Sequence, residues 1–280
     1  MTLAKKSLGQ HFLRNPAILA KIVAAAELAQ SDTVLEVGPG EGTLTELLLQ
    51  RAGKVIAIEK DDRLIPLLEE KFKGAVAAGT LELIHADILH QGSILMAGNY
   101  KIVANLPYYI TGAFLRQFLG GEHQPASMTL LLQKEVARRI VAHDKKESIL
   151  SISVKCYGEP RIVGIVKAGS FSPAPRVDSA ILAIENISKE FFQNTYQKNP
   201  PPTPSFIKEG ERGWISPEIT EKLFFEILKQ GFAHPRKLLA SNLGVESVVL
   251  EECGVPAKAR AEDISLEEWK KITTYLNRSR

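Results

Sequence analysis

A glycine-rich segment is the first place where residue types and spacing point to chemistry. Gly38, Gly40 and Gly42 form a G-x-G-x-G pattern directly after a β-rich run and directly before a helical stretch. Glycines there permit a tight turn and let a ligand approach the backbone closely. Glu59 follows about 20 positions after Gly38, where an acidic residue can accept hydrogen bonds from ribose hydroxyls. The pattern predicts a ribose-containing cofactor, with a purely structural turn as the alternative.

Two cofactors compete for this pattern, a nicotinamide dinucleotide and S-adenosylmethionine. The dinucleotide fingerprint has its third glycine one position later, where this chain has Thr43. The observed spacing, with Glu36 in front of it, fits the methyltransferase version better. Asp87 follows the third β-rich run, where its carboxylate can accept a hydrogen bond from the adenine amine of the cofactor. A helix cap or turn is the alternative interpretation of Asp87.

The tetrapeptide Asn105-Leu106-Pro107-Tyr108 follows the fourth β-rich run and predicts the reaction. An adenine amine is a poor nucleophile because its lone pair is delocalised into the ring. The side-chain oxygen of Asn105 and the carbonyl of Leu106 can accept its two hydrogens and free that lone pair, while Pro107 stiffens the turn. Tyr108 offers a face on which the base can stack, and Tyr109 is expected to be a core aromatic. Alignment of the reacting groups contributes up to roughly 7–11 kcal/mol; the alternative is a proline turn.

The elements around these motifs alternate between β-rich runs and helical stretches. The β-rich runs are residues 33–37, 55–59, 81–84, 102–104 and 128–132. Helical periodicity lies between them, for example over residues 43–51 and 63–72. This alternation predicts an α/β, Rossmann-like fold with a mostly parallel sheet. The later runs 149–157, 162–167 and 180–185 lack intervening helices and predict an antiparallel edge.

A change of domain is predicted near residue 200. The proline-rich stretch 199–204 cannot hold a helix or a central strand and is typical of a linker. Beyond it, Ser216-Pro217 predicts a helix start, and Ser265 with Glu268 predicts a capping box for a last helix. We therefore expect a catalytic domain over 1–185, a linker over 186–216 and a small helical domain over 217–280.

Composition excludes several classes of protein. A hydrophobic share of 45% with 24% charged residues is typical of a chain with a packed core. The apolar runs are shorter than the ~18 residues of a membrane helix, and residues 1–6 do not resemble a secretory signal, which predicts a cytoplasmic location. Cys156 and Cys253 are far apart, and the histidines lack metal-site spacing, so no metal is predicted. A net charge of +3 permits a polyanionic partner without requiring one.

Seven segments of the chain carry a resemblance to a known family. The sequence resembles the ribosomal RNA adenine dimethyltransferases, and most closely those that act on small-subunit RNA. Most of residues 7–185 contribute, through the segments 8–13, 36–45, 59, 85–89, 105–110, 133–138 and 171–179. Residues 231–238 match more loosely.

The resemblance implies a seven-stranded Rossmann-like domain, a helical C-terminal domain and S-adenosylmethionine as cofactor. It also implies that two adjacent adenosines near the 3′ end of small-subunit RNA are each methylated twice. The partner would be a precursor small subunit, and we expect a monomer. Phe171 matches a family aromatic that frames the target base. The cofactor would be held by the residues at the family's binding positions and by the glycine motif: His11, Leu13, Gly38, Gly40, Glu59, Asp87 and Asn105.

Basic residues mark two candidate RNA contacts. Lys134 and Arg138 lie one helical turn apart after the fifth β-rich run and can line an RNA groove. Arg236 and Lys237 belong to the C-terminal domain, although Pro235 interrupts a cluster of arginines that the family often has there. A solvated face is the alternative interpretation for each pair.

Two other functions compete with small-subunit methylation. One is a related dimethyltransferase that acts on large-subunit RNA and blocks antibiotic binding. The other is a ribosome-assembly factor that kept the fold and lost catalysis. Segment 171–179 favours the small-subunit enzyme, and the complete cofactor and Asn-Leu-Pro-Tyr motifs favour active chemistry.

Overall fold

The computed structural model of this protein describes residue 5 and residues 9–91, 98–193 and 220–278. Within these ranges the chain has nine strands: β1 (Phe12–Leu13), β2 (Thr33–Val37), β3 (Lys54–Glu59), β4 (Leu81–His85), β5 (Lys101–Asn105), β6 (Ser127–Gln133), β7 (Glu159–Val166), β8 (Phe171–Ser172) and β9 (Ser179–Glu185). The α-helices in the same ranges are α1 (Pro16–Ala25), α2 (Thr43–Leu48), α3 (Ile65–Lys71), α4 (Lys73–Ala77), α5 (Ile88–Gln91), α6 (Thr111–Leu119), α7 (Lys134–Val141), α8 (Ile149–Lys155), α9 (Glu221–Gly231), α10 (Leu239–Leu243), α11 (Ser247–Glu252) and α12 (Leu266–Arg278). Of these helices, none is long and apolar enough to cross a membrane.

Seven strands form one sheet in the order β4-β3-β2-β5-β6-β9-β7. Strands β4, β3, β2, β5 and β6 are parallel, and β9 is antiparallel to both β6 and β7. The central strands β2 and β5 are almost entirely buried, as expected where helices cover both faces of a parallel sheet. The predicted α/β class, with a mostly parallel seven-stranded sheet and an antiparallel element, is confirmed.

The strand order reverses between β2 and β5, and this reversal creates a crevice. The chain leaves β2 towards β3 on one side and later returns to β5 on the other. The loops after β2 and β5 therefore diverge at the carboxyl edge, where open α/β sheets bind ligands. Val37, Glu59, His85 and Asn105 end four neighbouring strands, so the predicted motifs lie along this edge.

A short antiparallel pair joins the N-terminal motif to a distant segment. Phe12 of β1 lies opposite Ser172 of β8, and Leu13 lies opposite Phe171. Phe12, Leu13 and Phe171 are buried in one apolar cluster together with side chains of α1 and α2. The β1–β8 pair consequently fixes residues 9–14 beside the glycine-rich loop.

Side-chain caps set two of the helix boundaries. The Asn15 side chain accepts hydrogen bonds from the backbone N–H groups of Ala17 and Ile18 in the first turn of α1, and Pro16 occupies the first helical position. The predicted capping box before α12 is present: the Ser265 N–H donates to Glu268 at 2.7 Å and the Glu268 N–H donates to Ser265 Oγ at 3.3 Å. Trp269 in the first turns of that helix is fully buried.

The prediction of a strand over residues 149–157 is wrong. Helix α8 spans Ile149–Lys155 and begins with a reciprocal cap between Ser148 and Ser151. This cap supplies partners for helical backbone N–H groups and outweighs the weak strand preference of the isoleucine and valine residues. The other two runs predicted to be antiparallel, 162–167 and 180–185, correspond to β7 and β9, which do pair in antiparallel fashion. The helices predicted over 43–51 and 63–72 are present with shorter bounds, as α2 (Thr43–Leu48) and α3 (Ile65–Lys71).

The chain folds into two compact units. One comprises Met1–His143 and Tyr157–Ser188 and contains the whole sheet, whereas the other comprises Asp144–Cys156 and Lys189–Arg280. Helix α8 thus belongs with α9–α12. The predicted division into a catalytic domain (1–185), a linker (186–216) and a helical domain (217–280) stays a prediction. The linker 199–204 and the helix start at Ser216 lie outside the described residues.

Candidate active site

A cleft opens at the carboxyl edge of the sheet, and it collects most of the predicted site residues. Its walls come from the N-terminal segment, the glycine-rich loop and the ends of β3, β4 and β5. The predicted residues that line it are His11, Leu13, Gly38, Gly40, Glu59, Asp87, Asn105, Leu106, Pro107 and Tyr108.

The glycine-rich loop has a backbone conformation that favours glycine. Gly38 and Gly40 have φ angles of 67° and 61°, in the left-handed region. A Cβ on Gly40 would lie 3.1 Å from the Phe12 ring, whereas a Cβ on Gly38 would meet nothing within 4 Å. Gly40 therefore lets the N-terminal segment pack on the loop. Gly38 leaves open space that a ligand can approach closely.

Glu59 ends β3 and acts as a buried acceptor. Its Oε1 accepts the Asp61 N–H at 2.8 Å, and its Oε2 accepts the Gly40 N–H at 3.1 Å. Burial raises the pKa of Glu59 above its usual range, and the hydrogen bonds from Asp61 and Gly40 offset part of that rise. The carboxylate thus fixes the glycine-rich loop to the end of β3 and faces the cleft.

Glu36, which was predicted as part of the glycine motif but not as a ligand contact, lines the cleft. It is 1% exposed, and its Oε2 has no hydrogen-bond partner among the described residues. Burial raises the pKa of Glu36 to about 8. Such an unpaired buried polar group is costly unless a ligand hydrogen-bonds to it. The available signal was its position two residues before Gly38.

Asp87 follows β4 and is already engaged by a cation. Its Oδ2 lies 2.7 Å from Nζ of Lys60, and its Oδ1 accepts the Leu89 N–H at 3.0 Å. Burial pushes the pKa of Asp87 upward, but the hydrogen bonds from Lys60 and Leu89 outweigh it and leave the pKa lowered. Lys60 also lines the cleft and was missed, although it directly follows Glu59.

The Asn105 amide is held in one orientation. Its Nδ2 donates to the backbone carbonyl of His11 at 3.1 Å, and this bond can form only when the amino side of the amide faces His11. Among the described residues, no donor contacts its Oδ1. The next carbonyl, of Leu106, accepts no backbone hydrogen bond within the described ranges. Two acceptors on one loop are therefore free beside the cleft.

Tyr108 and His11 form an aromatic wall next to these acceptors. Their rings are stacked, with centroids 5.9 Å apart and planes 25° apart. The Tyr108 hydroxyl lies 2.8 Å from Ser179 Oγ, and His11 Nδ1 lies 2.8 Å from the carbonyl of Pro173. Burial raises the pKa of Tyr108. Tyr109 is 62% exposed at the cleft, so the expectation of a core aromatic there was wrong. Tyr109 lies in a 3₁₀ turn over Tyr108–Ile110, which packs Ile110 inward instead.

The family model for ribosomal RNA adenine dimethylases matches residues 1–199. The chain belongs to the ribosomal RNA adenine dimethylase family. Relatives named ribosomal RNA small subunit methyltransferase A are 45% identical in Dehalococcoides mccartyi strain CBDB1 and 34% identical in Clostridium botulinum strain Loch Maree. Each alignment covers 96% of this chain, and 87% and 92% of the relatives, respectively.

Solved structures of similar proteins agree with the fold of this dimethylase. The 23S rRNA methyltransferase ErmE matches with a TM-score of 0.69 and 25% identity, covering 95% of this chain and 99% of its own. A dimethyladenosine transferase from Plasmodium falciparum matches with a TM-score of 0.74 and 24% identity, covering 96% and 98%. The second likeness shows the fold alone.

The cleft of the dimethylase fits S-adenosylmethionine, the methyl donor that this class of RNA methyltransferases uses in general. The open space at Gly38 admits a ligand against the backbone, and Oε2 of Glu36 lacks a hydrogen-bond partner among the described residues. Glu59 and Asp87 add two more carboxylates. This acceptor-rich lining matches a ligand that carries a cationic amine, ribose hydroxyls and an adenine amine.

Five predicted site residues do not line this cleft of the dimethylase. Phe171 is 6% exposed within the apolar cluster, and its role as a frame for the target base stays a prediction. Lys134 and Arg138 are half-buried on α7 in the unit that holds the sheet. Arg236 and Lys237 are exposed between α9 and α10 in the other unit. Their contacts with RNA also stay predictions.

Proposed function

We propose that this dimethylase transfers methyl groups from S-adenosylmethionine to the N6 amines of two adjacent adenosines near the 3′ end of small-subunit ribosomal RNA, two methyl groups to each. The observation that carries the proposal is the orientation of the Asn105 amide. Its Nδ2 is occupied by the His11 carbonyl, which leaves Oδ1 as a free acceptor at the cleft.

The Asn-Leu-Pro-Tyr loop activates the target amine. Asn105 Oδ1 and the Leu106 carbonyl accept its two hydrogens and favour a nitrogen whose lone pair is released from the ring. Bound S-adenosylmethionine supplies a methyl group on a positively charged sulfur. The amine nitrogen becomes strongly acidic once it is methylated and releases its proton to water, so Asn105 and Leu106 serve without a strong general base. Acceptors held in place before the reaction need no reorganisation during it.

Tyr108 provides the surface that receives the base. A target adenine must leave its stack to reach Asn105, and an aromatic face replaces part of the lost stacking energy. The hydrogen bond to Ser179 and the stacked ring of His11 hold Tyr108 in position.

The cofactor would be held along the opposite wall of the cleft. Glu59 would accept the ribose hydroxyls and Asp87 the adenine amine, while the glycine-rich loop would lie against the ligand. The full proposed set also includes His11 and Asn105 from the side of the cleft that holds Tyr108: His11, Leu13, Gly38, Gly40, Glu59, Asp87 and Asn105.

Basic side chains would bind the phosphates of the surrounding RNA and so hold it independently of its sequence. Arg236 and Lys237 are exposed and make no ion pair within the described residues.

Replacing both Arg236 and Lys237 with alanine should weaken binding to small subunits. Each lost contact should flatten the slope of log affinity against log salt by just under about one unit. Lys222→Ala with Lys229→Ala removes the same charge from exposed positions on α9 and serves as control. If the slope is unchanged when Arg236 and Lys237 are replaced, these two side chains face solvent and do not contact the RNA phosphates.

A precursor small subunit in the cytoplasm is the proposed substrate, with the dimethylase acting as a monomer. The relatives at 34–45% identity carry small-subunit names, which supports this choice over large-subunit RNA. The test is to incubate the protein with labelled cofactor and either unmethylated small subunits or large subunits, and to map the label along the RNA. Label near the 3′ end of small-subunit RNA supports the proposal, whereas label confined to large-subunit RNA contradicts it.

A further inference from the structure

Lys60 lies in the cleft at the place where the cofactor's adenine should bind. Among the described residues that line the cleft, it is the one lysine or arginine. Its side chain is half-exposed, and its Nζ is 2.7 Å from Oδ2 of Asp87. It directly follows Glu59, so its backbone is fixed at the end of β3.

Both oxygens of Asp87 already have partners. The Leu89 N–H donates to Oδ1 at 3.0 Å, while Lys60 at 2.7 Å and His90 Nδ1 at 3.3 Å face Oδ2. A neutral adenine amine can therefore bind this carboxylate only by sharing it with a charged donor or by displacing that donor. Hydrogen bonds from a charged donor are stronger than those from a neutral one.

We propose that Lys60 is an internal competitor for Asp87 that weakens cofactor binding and speeds cofactor exchange. This inference rests on the proposed function, in which Asp87 accepts the adenine amine. Two methyl groups on each of two adenosines require four successive donor molecules. A competitor that occupies Asp87 as the spent cofactor leaves would favour that turnover.

The expected size of the effect follows from the exposure of the pair. Half-exposed ion pairs contribute little because water and salt screen them. Removing the competitor should therefore tighten binding by only about 2–5-fold, which corresponds to the upper part of the range for such pairs. The change should appear mainly in the dissociation rate, as most affinity differences between variants do.

The experiment measures binding of S-adenosylhomocysteine, the demethylated cofactor, by titration calorimetry and stopped-flow displacement. Lys60→Met should bind more tightly and release more slowly than the natural protein. Lys60→Arg keeps the charge and should resemble the natural protein, and Lys60→Gln should fall between them. Raising the salt concentration should narrow the difference between Lys60→Met and the natural protein, because salt screens the ion pair.

Two controls separate competition from other causes. Lys54 and Glu82 form an ion pair of the same 2.7 Å length at the opposite end of β3 and β4, with a lysine of similar exposure and a carboxylate more exposed than Asp87. Lys54→Met should leave binding unchanged. In an Asp87→Asn background, Lys60→Met should lose its effect because the charged partner is gone. Equal tightening in that background would attribute the gain to methionine packing and overturn the proposal.

The outcomes also distinguish this inference from the proposed function. Weaker binding by Lys60→Met would make Lys60 a direct ligand contact and overturn the competitor role, as would unchanged binding. Failure of the natural protein to bind S-adenosylhomocysteine at all would instead contradict the proposed cofactor site.

Discussion

The two walls of the cleft differ in how their acceptors are occupied. On the wall where we propose that the cofactor binds, here called the cofactor wall, Glu59 accepts two backbone N–H groups, and Asp87 is paired with Lys60. On the wall proposed to receive the target base, here called the base wall, Asn105 uses its amino group to bind the His11 carbonyl and keeps its oxygen free. When a ligand arrives, Glu59 and Asp87 must share or exchange their present hydrogen-bond partners. Asn105 Oδ1 is already free to accept a hydrogen bond.

This difference indicates which step each wall should control. Shared acceptors contribute to a binding equilibrium, so changes on the cofactor wall should alter affinity. A free acceptor aimed at the reacting amine acts most strongly in the transition state, so changes on the base wall should alter the rate. The predictions below test this division, beginning with the largest effect.

Asn105→Ala should lower the single-turnover rate of methyl transfer by roughly 10²–10³-fold, the loss seen when one preorganised transition-state partner is removed. RNA affinity should change far less, because the acceptor matters most as the amine nitrogen is activated. Single-turnover kinetics on pre-bound RNA separate the two quantities. Asn105→Asp keeps an acceptor but cannot donate to the His11 carbonyl, so it should recover only part of the rate. Poor RNA binding with a normal transfer rate would place Asn105 in binding instead.

Tyr108→Ala should reduce kcat/KM by the equivalent of about 1–3 kcal/mol, the value of one stacked base. Tyr108→Phe keeps the ring and loses only the hydrogen bond to Ser179, which is worth about 0.5–1.5 kcal/mol. Ser179→Ala should lower kcat/KM as much as Tyr108→Phe does. The double variant should lower kcat/KM no further, because both substitutions remove the same hydrogen bond. If Phe were as inactive as Ala, the hydroxyl would take part in the reaction.

Glu59→Ala should weaken cofactor binding by about 1.5–3 kcal/mol, because charge-assisted hydrogen bonds to the ribose are lost. The variant should also melt at a lower temperature without ligand, since the Gly40 and Asp61 N–H groups lose their acceptor. Titration calorimetry and thermal unfolding measure the two effects. Glu82→Ala, on the neighbouring strand and half-exposed, is the control. Unchanged cofactor affinity would remove Glu59 from the ribose site.

Glu36→Gln should change how stability depends on pH. Burial raises the pKa of Glu36 from 4.5 to about 8, so the folded state retains a proton that the unfolded chain releases. Its contribution is fully present below the unfolded pKa and is lost as the pH rises towards about 8. The natural protein should therefore lose stability relative to Glu36→Gln over this range, by about 1.4 kcal/mol per pH unit at most. Melting temperatures across the range check this, and a constant difference would mean that Glu36 is ionised throughout.

Local patterns predicted most of the residues that line the proposed cofactor wall. The glycine spacing, Glu59 and Asp87 each stand at a strand end, and the carboxyl ends of parallel strands meet at one edge. The partners of the base wall could not be read in the same way. Ser179 joins Tyr108 through an antiparallel strand far along the chain, and His11 meets Pro173 through the β1–β8 pair. Such contacts depend on tertiary register rather than on sequence spacing.

Short-range preferences also misled the prediction in places. Residues 149–157 are rich in isoleucine and valine, yet the cap formed by Ser148 and Ser151 begins a helix there. Tyr109 follows an aromatic that faces the cleft, but the 3₁₀ turn over Tyr108–Ile110 directs it to solvent. In both cases a local hydrogen bond or turn decided the outcome over hydrophobicity.

The central claim is that the free acceptors of the base wall activate an adenine amine. The most direct test is mass spectrometry of nucleosides from small-subunit RNA after reaction with isotopically labelled cofactor. The natural protein should yield N6,N6-dimethyladenosine carrying two labelled methyl groups, and Asn105→Ala should yield almost none under the same conditions. Label on the ribose or on another base, or full dimethylation by Asn105→Ala, would contradict the account.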